Sequence, residues 1–130
     1  MNWANRRILI LGEVAKTTQC LALDLQHHGY EVELRLVDHT GLTHLTHCSP
    51  DLVIVAGTTS HVLALEICDR IGEWSDAPII VLTCHPSSAA RVAALWHGAD
   101  DVLDCHVSLA ELSLRIEAIL RRTISPRLPS

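Results

Sequence analysis

The segment Pro50-Asp51-Leu52-Val53-Ile54-Val55-Ala56-Gly57 constrains the fold of this chain more than any other. Leu52 to Val55 is an unbroken apolar run between a Ser-Pro-Asp turn and a Gly-Thr-Thr-Ser loop at 57–60. A short run rich in β-branched residues and bounded by turn signals reads as a strand buried on both faces, the central strand of a parallel sheet. Ligands of open α/β sheets gather at the carboxyl ends of the strands. Here that end is Ala56-Gly57, so the favoured site position carries an alanine.

The other segments fit around this strand. Ile8-Leu9-Ile10-Leu11, after Arg6-Arg7 and closed by Gly12-Glu13, repeats the buried-strand signature. Residues from about Lys16 to His28 predict a helix, with Leu21 and Leu25 one turn apart and Gly29 as its stop. Glu31 to Leu36 alternates polar and apolar residues, the pattern of a strand near a sheet edge. Thr40 to His47 predicts a short, weakly patterned helix ended by Ser49-Pro50. Ala64, Ile67, Cys68 and Ile71 follow helical spacing, and Pro78 to Thr83 reads as a fourth strand. Pro86-Ser87-Ser88 opens a helix whose apolar face is Val92, Leu95 and Trp96, stopped by Gly98. Asp101 to Asp104 is a short fifth strand. Ser108 and Glu111 form a capping-box pattern for a last helix to about Arg122, which buries Leu112, Ile116, Ile119 and Leu120. Five strands alternating with five helices predict an α/β fold: a flavodoxin-like, doubly wound parallel sheet ordered 2-1-3-4-5. One domain over residues 1–122 is expected, with 123–130 a linker or disordered tail.

Composition narrows the function classes. At 130 residues and 48% hydrophobic, the chain can bury a core in one domain. No apolar run approaches the ~20 residues that span a bilayer, and the N-terminus lacks a signal-peptide pattern, so a cytoplasmic protein without membrane contact is expected. Cysteines at 20, 48, 68, 84 and 105 include no CxxC pair and read as reduced thiols. A net charge of −5, with Lys16 the only lysine, argues against this chain alone gripping nucleic acid. The nine histidines are scattered mostly singly and read as surface or structural residues.

Several runs, in consecutive elements, resemble the receiver domain of bacterial two-component response regulators. They are Gly29-Tyr30-Glu31-Val32, Pro50-Asp51-Leu52-Val53, Pro78-Ile79-Ile80-Val81-Leu82-Thr83 and Gly98-Ala99-Asp100-Asp101-Val102-Leu103. Glu111-Leu112, Arg115-Ile116 and Leu120-Arg121-Arg122 resemble the last receiver helix of the winged-helix (OmpR/PhoB-like) branch of transcription factors. The resemblance, over residues 6 to 122, implies a CheY-like fold and a phosphoacceptor pocket of five groups. These are an acidic pair that helps hold magnesium, an aspartate acceptor, a Ser or Thr, and a lysine. Oxygen ligands suit the ion, transfer to protein needs a nucleophile, and the transferred charge needs a cation.

Read onto this chain, the acidic pair is Gly12-Glu13, the acceptor is Ala56, the hydroxyl is Thr83 and the lysine position is Cys105. His106 stands where a proline usually follows. Asp51 starts the central strand, roughly 16 Å from the pocket at about 3.3 Å per residue. Asp104 adjoins Cys105, but successive strand residues face opposite sides. The resemblance with these substitutions implies a degenerate, atypical receiver that takes no aspartyl phosphate, is not an enzyme and needs no cofactor. Its expected role is phosphorylation-independent regulation of transcription through a homodimer made by the fourth helix, fifth strand and fifth helix. Arg91, Asp100, Asp101, Glu111, Arg115 and Arg122 would supply the interface charges. DNA would be bound only through a C-terminal domain absent from this chain.

Two other readings stay open. One is a pseudo-receiver that senses a small molecule beside Thr83 and Cys105. The other is a thiol- or metal-dependent site, because Glu13, Cys84, His85, Cys105 and His106 fall at or just beyond strand ends, and thiolate and imidazole are zinc donors. Against it, no two cysteines have metal-ligand spacing in sequence, and His44-x-x-His47-Cys48 lies on a weak surface helix. Cys105 is therefore expected to be a plain thiol, with no structural metal. A flavin site is disfavoured because the Gly12 to Thr18 loop offers a single glycine, a poor phosphate cradle.

Overall fold

In a computed structural model, the described residues are 6–13, 15–36, 39–56 and 61–124, with backbone alone at 39, 40, 61, 123 and 124. The expected loop at 57–60 and the end of the tail at 125–130 lie outside the described residues. Strands β1 (Arg7–Leu11), β2 (Glu31–Arg35), β3 (Leu52–Val55), β4 (Ile79–Thr83) and β5 (Asp101–Asp104) alternate with five helices. These are α1 (Lys16–His27), α2 (His39–Cys48), α3 (His61–Trp74), α4 (Ser88–Trp96) and α5 (Leu109–Ile124). The sheet is parallel throughout and ordered β2-β1-β3-β4-β5, so β3 is central, as its unbroken apolar run requires. The last helix runs two residues past the expected boundary at 122.

Strand alternation divides the core in two. Leu9, Leu11, Val53, Val55, Ile79, Val81 and Val102 face one layer, packed by Leu42 and Leu45 of α2, Ala64, Ile67, Cys68 and Ile71 of α3, and Ala94 of α4. Ile8, Ile10, Leu52, Ile54, Ile80, Leu82 and Leu103 face the other, covered by Leu25 of α1 and by Leu112, Ile116, Ile119 and Leu120 of α5. Each such fully buried side chain contributes roughly 1.5–3 kcal/mol relative to its exposed state. The edge strand β2 buries only part of Val32 and Leu34, in keeping with its polar alternation.

Local signals act where their chemistry places them. Gly29 adopts φ +98°, which closes α1 and turns the chain into β2. Ser87 caps α4 by accepting the Ala90 N–H at 3.1 Å, and Ser108 caps α5 by accepting the Glu111 N–H at 3.1 Å.

One expectation fails. The apolar residues of α4 are not its buried face: Val92, Leu95 and Trp96 are 65%, 47% and 86% exposed. Alanines supply the sheet side instead, with Ala94 buried and Ala90 and Ala93 half-buried. Small residues let the helix sit close to the sheet, and the large apolar side chains are left facing outward.

Candidate functional site

The carboxyl ends of β1, β3, β4 and β5 form one rim, and backbone hydrogen bonds set the positions of its residues. Gly12 N–H donates to Arg35 O at 3.0 Å, Ala56 N–H to Leu11 O at 3.0 Å, and Cys105 N–H to Thr83 O at 2.9 Å. Gly12, Ala56, Thr83 and Cys105 thus lie along one sheet end, as the topology requires. Glu13 is exposed beside them, and its carbonyl accepts the buried Thr18 hydroxyl at 2.6 Å, which ties this turn to the start of α1.

The β1–β3 half is closed. A side chain at Gly12 would put its Cβ 1.8 Å from the Ala56 carbonyl oxygen, so the two backbones touch where an acidic side chain would otherwise stand. Ala56 is 4% exposed and offers no heteroatom beyond its backbone. Thr83 is also buried.

The β4–β5 half is open and polar. The register pairs Thr83 with Asp104, so the next residues, Cys84 and Cys105, stand side by side although far apart in sequence. Both thiols are exposed. The Cys105 thiol is pushed up to about 11, first by lost hydration and then by Cys84 and the Asp104 carboxylate. His106 Nδ1 lies 3.5 Å from Cys105 Sγ and 3.1 Å from Asp104 Oδ1, while His85 Nδ1 lies 3.7 Å from Asp104 Oδ2. The two imidazole centroids are 5.8 Å apart, and His85 takes the left-handed φ of +49°.

Asp104 stays on the rim, contrary to the alternation argument. The strand ends there in a turn, with Val107 N–H donating to Asp104 O at 2.9 Å and His106 N–H to Asp104 Oδ1 at 2.9 Å. An aspartate at the first turn position folds its carboxylate over the following residues, and strand alternation ceases to apply. The His106 N–H is the chief cause that holds the Asp104 carboxyl below its usual value; the two imidazoles act in the same direction. Asp51 is at the far end of β3, accepting Arg7 N–H at 2.8 Å, as expected.

The other candidate residues separate. His44 pairs with Glu33, and although His44, His47 and Cys48 line one cleft, their donor atoms are not gathered at ligand spacing. Hydrogen bonds from His44 and Arg35 hold the Glu33 carboxyl low, outweighing burial, which works to raise it. Burial pushes the Cys68 thiol up to about 11.

On the α4–β5–α5 face, Arg115 bridges Asp101 at 3.5 Å and Glu111 at 3.6 Å within the chain. Arg91 donates to the Val102 carbonyl at 2.7 Å, and Asp100 accepts the Ile79 N–H at 2.8 Å. Arg122 is exposed and donates to Ala118 O at 3.4 Å. Sequence reasoning named these charges but assigned the apolar Val92, Leu95 and Trp96 of α4 to a buried face and did not single out Leu114 on α5, 66% exposed. Leu114 is legible as an apolar residue off the buried stripe of α5.

Known proteins match both the sequence and this geometry. The response regulator ArlR of Staphylococcus haemolyticus is 32% identical over 115 residues, which cover 88% of this chain and 52% of that protein. The response regulator MprA of Mycobacterium tuberculosis is 36% identical over 118 residues, covering 90% and 51%. A two-component response regulator from Clostridium difficile superposes with a TM-score of 0.81 at 24% identity, over 93% of this chain and all of that one. The chain is similar in sequence to response regulators and shares the fold of their receiver domains. It spans about half the length of the curated relatives it matches. No family model matches it. Among the described residues, no helix is long and apolar enough to cross a membrane.

Proposed function

We propose that this chain is a receiver domain that regulates by association and accepts no phosphoryl group. The observation that carries the reading is the contact between Gly12 and Ala56. An acidic side chain has no place at Gly12, because its Cβ would meet the Ala56 carbonyl at 1.8 Å, and Ala56 itself carries no nucleophile. Cys105, a thiol at the lysine position, supplies no fixed cation for a transferred phosphate. The domain would occupy residues 1–122 and act in the cytoplasm as part of a transcriptional regulator of the winged-helix branch. DNA contact would fall to a further domain, since the curated relatives are about twice this length.

Association would use α4, β5 and α5 in a two-fold homodimer. Trp96, Val92, Leu95 and Leu114 leave large apolar surface in water on the two helices, among Arg91, Asp100, Asp101, Glu111, Arg115 and Arg122. An exposed apolar patch on a face that also carries both signs of charge suits a self-complementary contact.

Acetyl phosphate with magnesium, followed by intact-mass spectrometry at neutral pH, tests the first half. No adduct is expected, and an aspartyl adduct on any rim residue overturns the reading. Sedimentation equilibrium tests the second half. A dimer is expected without any phosphate mimic, and a chain still monomeric at high micromolar concentration overturns it.

A further inference from the structure

We propose that Cys84, Cys105, His106 and Asp104 form a four-ligand site for a divalent metal ion, zinc by its donor chemistry, at the carboxyl ends of β4 and β5. Sequence spacing argues against such a site, because no two cysteines are near one another in the chain. The β4–β5 register reverses that argument. Thr83 pairs with Asp104, so the two cysteines that follow are neighbours on adjacent parallel strands, which run about 4.8 Å apart.

Three of the four donor atoms already stand at ligand spacing. Zinc binds sulfur at about 2.3 Å and nitrogen or oxygen at about 2.0–2.2 Å, so the corners of its tetrahedron are about 3.5 Å apart. Cys105 Sγ and His106 Nδ1 are 3.5 Å apart, and His106 Nδ1 and Asp104 Oδ1 are 3.1 Å apart. The donor atoms of Asp104, Cys105 and His106 all lie within 4.8 Å of one another, the one such group among the described residues. Cys84, set beside Cys105 by the strand register, is the fourth ligand once its side chain turns toward the other three. Turn formation after Asp104 is what gathers the carboxylate, thiol and imidazole from three consecutive residues.

Donor type selects the ion. Two sulfurs, one imidazole and one carboxylate match zinc and exclude magnesium or calcium, which require mostly oxygen ligands. The two thiols release their protons to solvent as the ion binds, and no electron moves. His85, 3.7 Å from the second carboxylate oxygen, would orient Asp104 rather than bind the ion. Its left-handed backbone, at φ +49°, holds the ring over this cluster. None of these residues belongs to the apolar patch, although His85, Asp104 and His106 share a cleft with Arg91, Glu111 and Arg115 of the proposed dimer face.

The experiment is a titration of the reduced, chelator-treated chain with zinc sulfate and, separately, with cobalt(II) chloride. One equivalent of zinc is expected, and cobalt should show the thiolate charge-transfer and tetrahedral absorption bands. Zinc should protect Cys84 and Cys105, but not the exposed Cys20, from alkylation mapped by peptide mass. Cys105→Ser should weaken binding by more than about 100-fold, and His85→Ala by about 10- to 100-fold. No binding at micromolar zinc overturns the proposal, as does a Cys105→Ser variant that binds like the wild type. A Cys84–Cys105 disulfide formed in air while zinc is present, with no alkylation protection after reduction, also overturns it.

Discussion

The two halves of the sheet's carboxyl rim share one backbone plan and differ in everything their side chains can do. At β1 and β3 the strands end in Gly12 and Ala56, packed so closely that a Cβ would stand 1.8 Å from a carbonyl oxygen. At β4 and β5 the ends carry Cys84, His85, Asp104, Cys105 and His106, mostly exposed, with His106 against Cys105 and Asp104 and His85 beside Asp104. Neighbouring strands of a parallel sheet impose the same spacing on both halves. What differs is whether the first residue past the strand has a side chain to project. The rim teaches that a fold delivers positions, and that chemistry follows the residues placed there.

The sharpest way to break this contrast is to put a side chain into the closed half. Gly12→Ala should cost about 3 kcal/mol, because the obstacle is backbone and cannot rotate away. Urea unfolding would measure it, and a variant as stable as the wild type would show that the two turns separate freely. Cys84→Ala and Cys105→Ala, in the open half, should each change metal-free stability by no more than about 0.5 kcal/mol.

Zinc should sharpen the contrast by stabilising through the open half alone. At a free concentration 100-fold above its dissociation constant, the ion should add about 2.7 kcal/mol to the wild type. The Cys84→Ser, Cys105→Ser double variant should show no shift in Tm.

A smaller effect is expected where the open half meets the proposed dimer face. Arg115→Glu removes the guanidinium that bridges Asp101 and Glu111. It should loosen the dimer by about 1–2 kcal/mol over two symmetric copies, an effect that shrinks as salt rises. Sedimentation equilibrium decides this, and a dimer indifferent to the change moves the contact elsewhere.

The smallest effect concerns pH. The Asp104 carboxyl is held low in the folded chain, chiefly by the His106 N–H. A depressed carboxylate stabilises above its unfolded value, about 3.9, and loses that contribution as pH falls through the folded one. Stability measured from pH 6 down to pH 2 should therefore decline more steeply in the wild type than in Asp104→Asn. Parallel profiles would show that the turn does not depend on the charge.

Much of this protein is written locally in its sequence. The runs Ile8–Leu11, Leu52–Val55 and Ile79–Thr83 are buried strands, and Leu112, Ile116, Ile119 and Leu120 line the buried stripe of α5. Periodicity reads these well because burial on one or both faces constrains every residue in a short window. The residues at strand ends, Ala56 and Cys105 among them, are likewise legible once the strands are placed, since no folding can give alanine a nucleophile.

Two features were decided only in three dimensions. Periodicity on α4 marked Val92, Leu95 and Trp96 as one apolar face, yet the alanines took the sheet side because close approach favours small residues over large ones. The meeting of Cys84 with Cys105 and the return of the Asp104 carboxylate to the rim depend on strand register and a turn. Contacts between residues distant in the chain arise from pairing across the sheet, and no local pattern encodes that pairing.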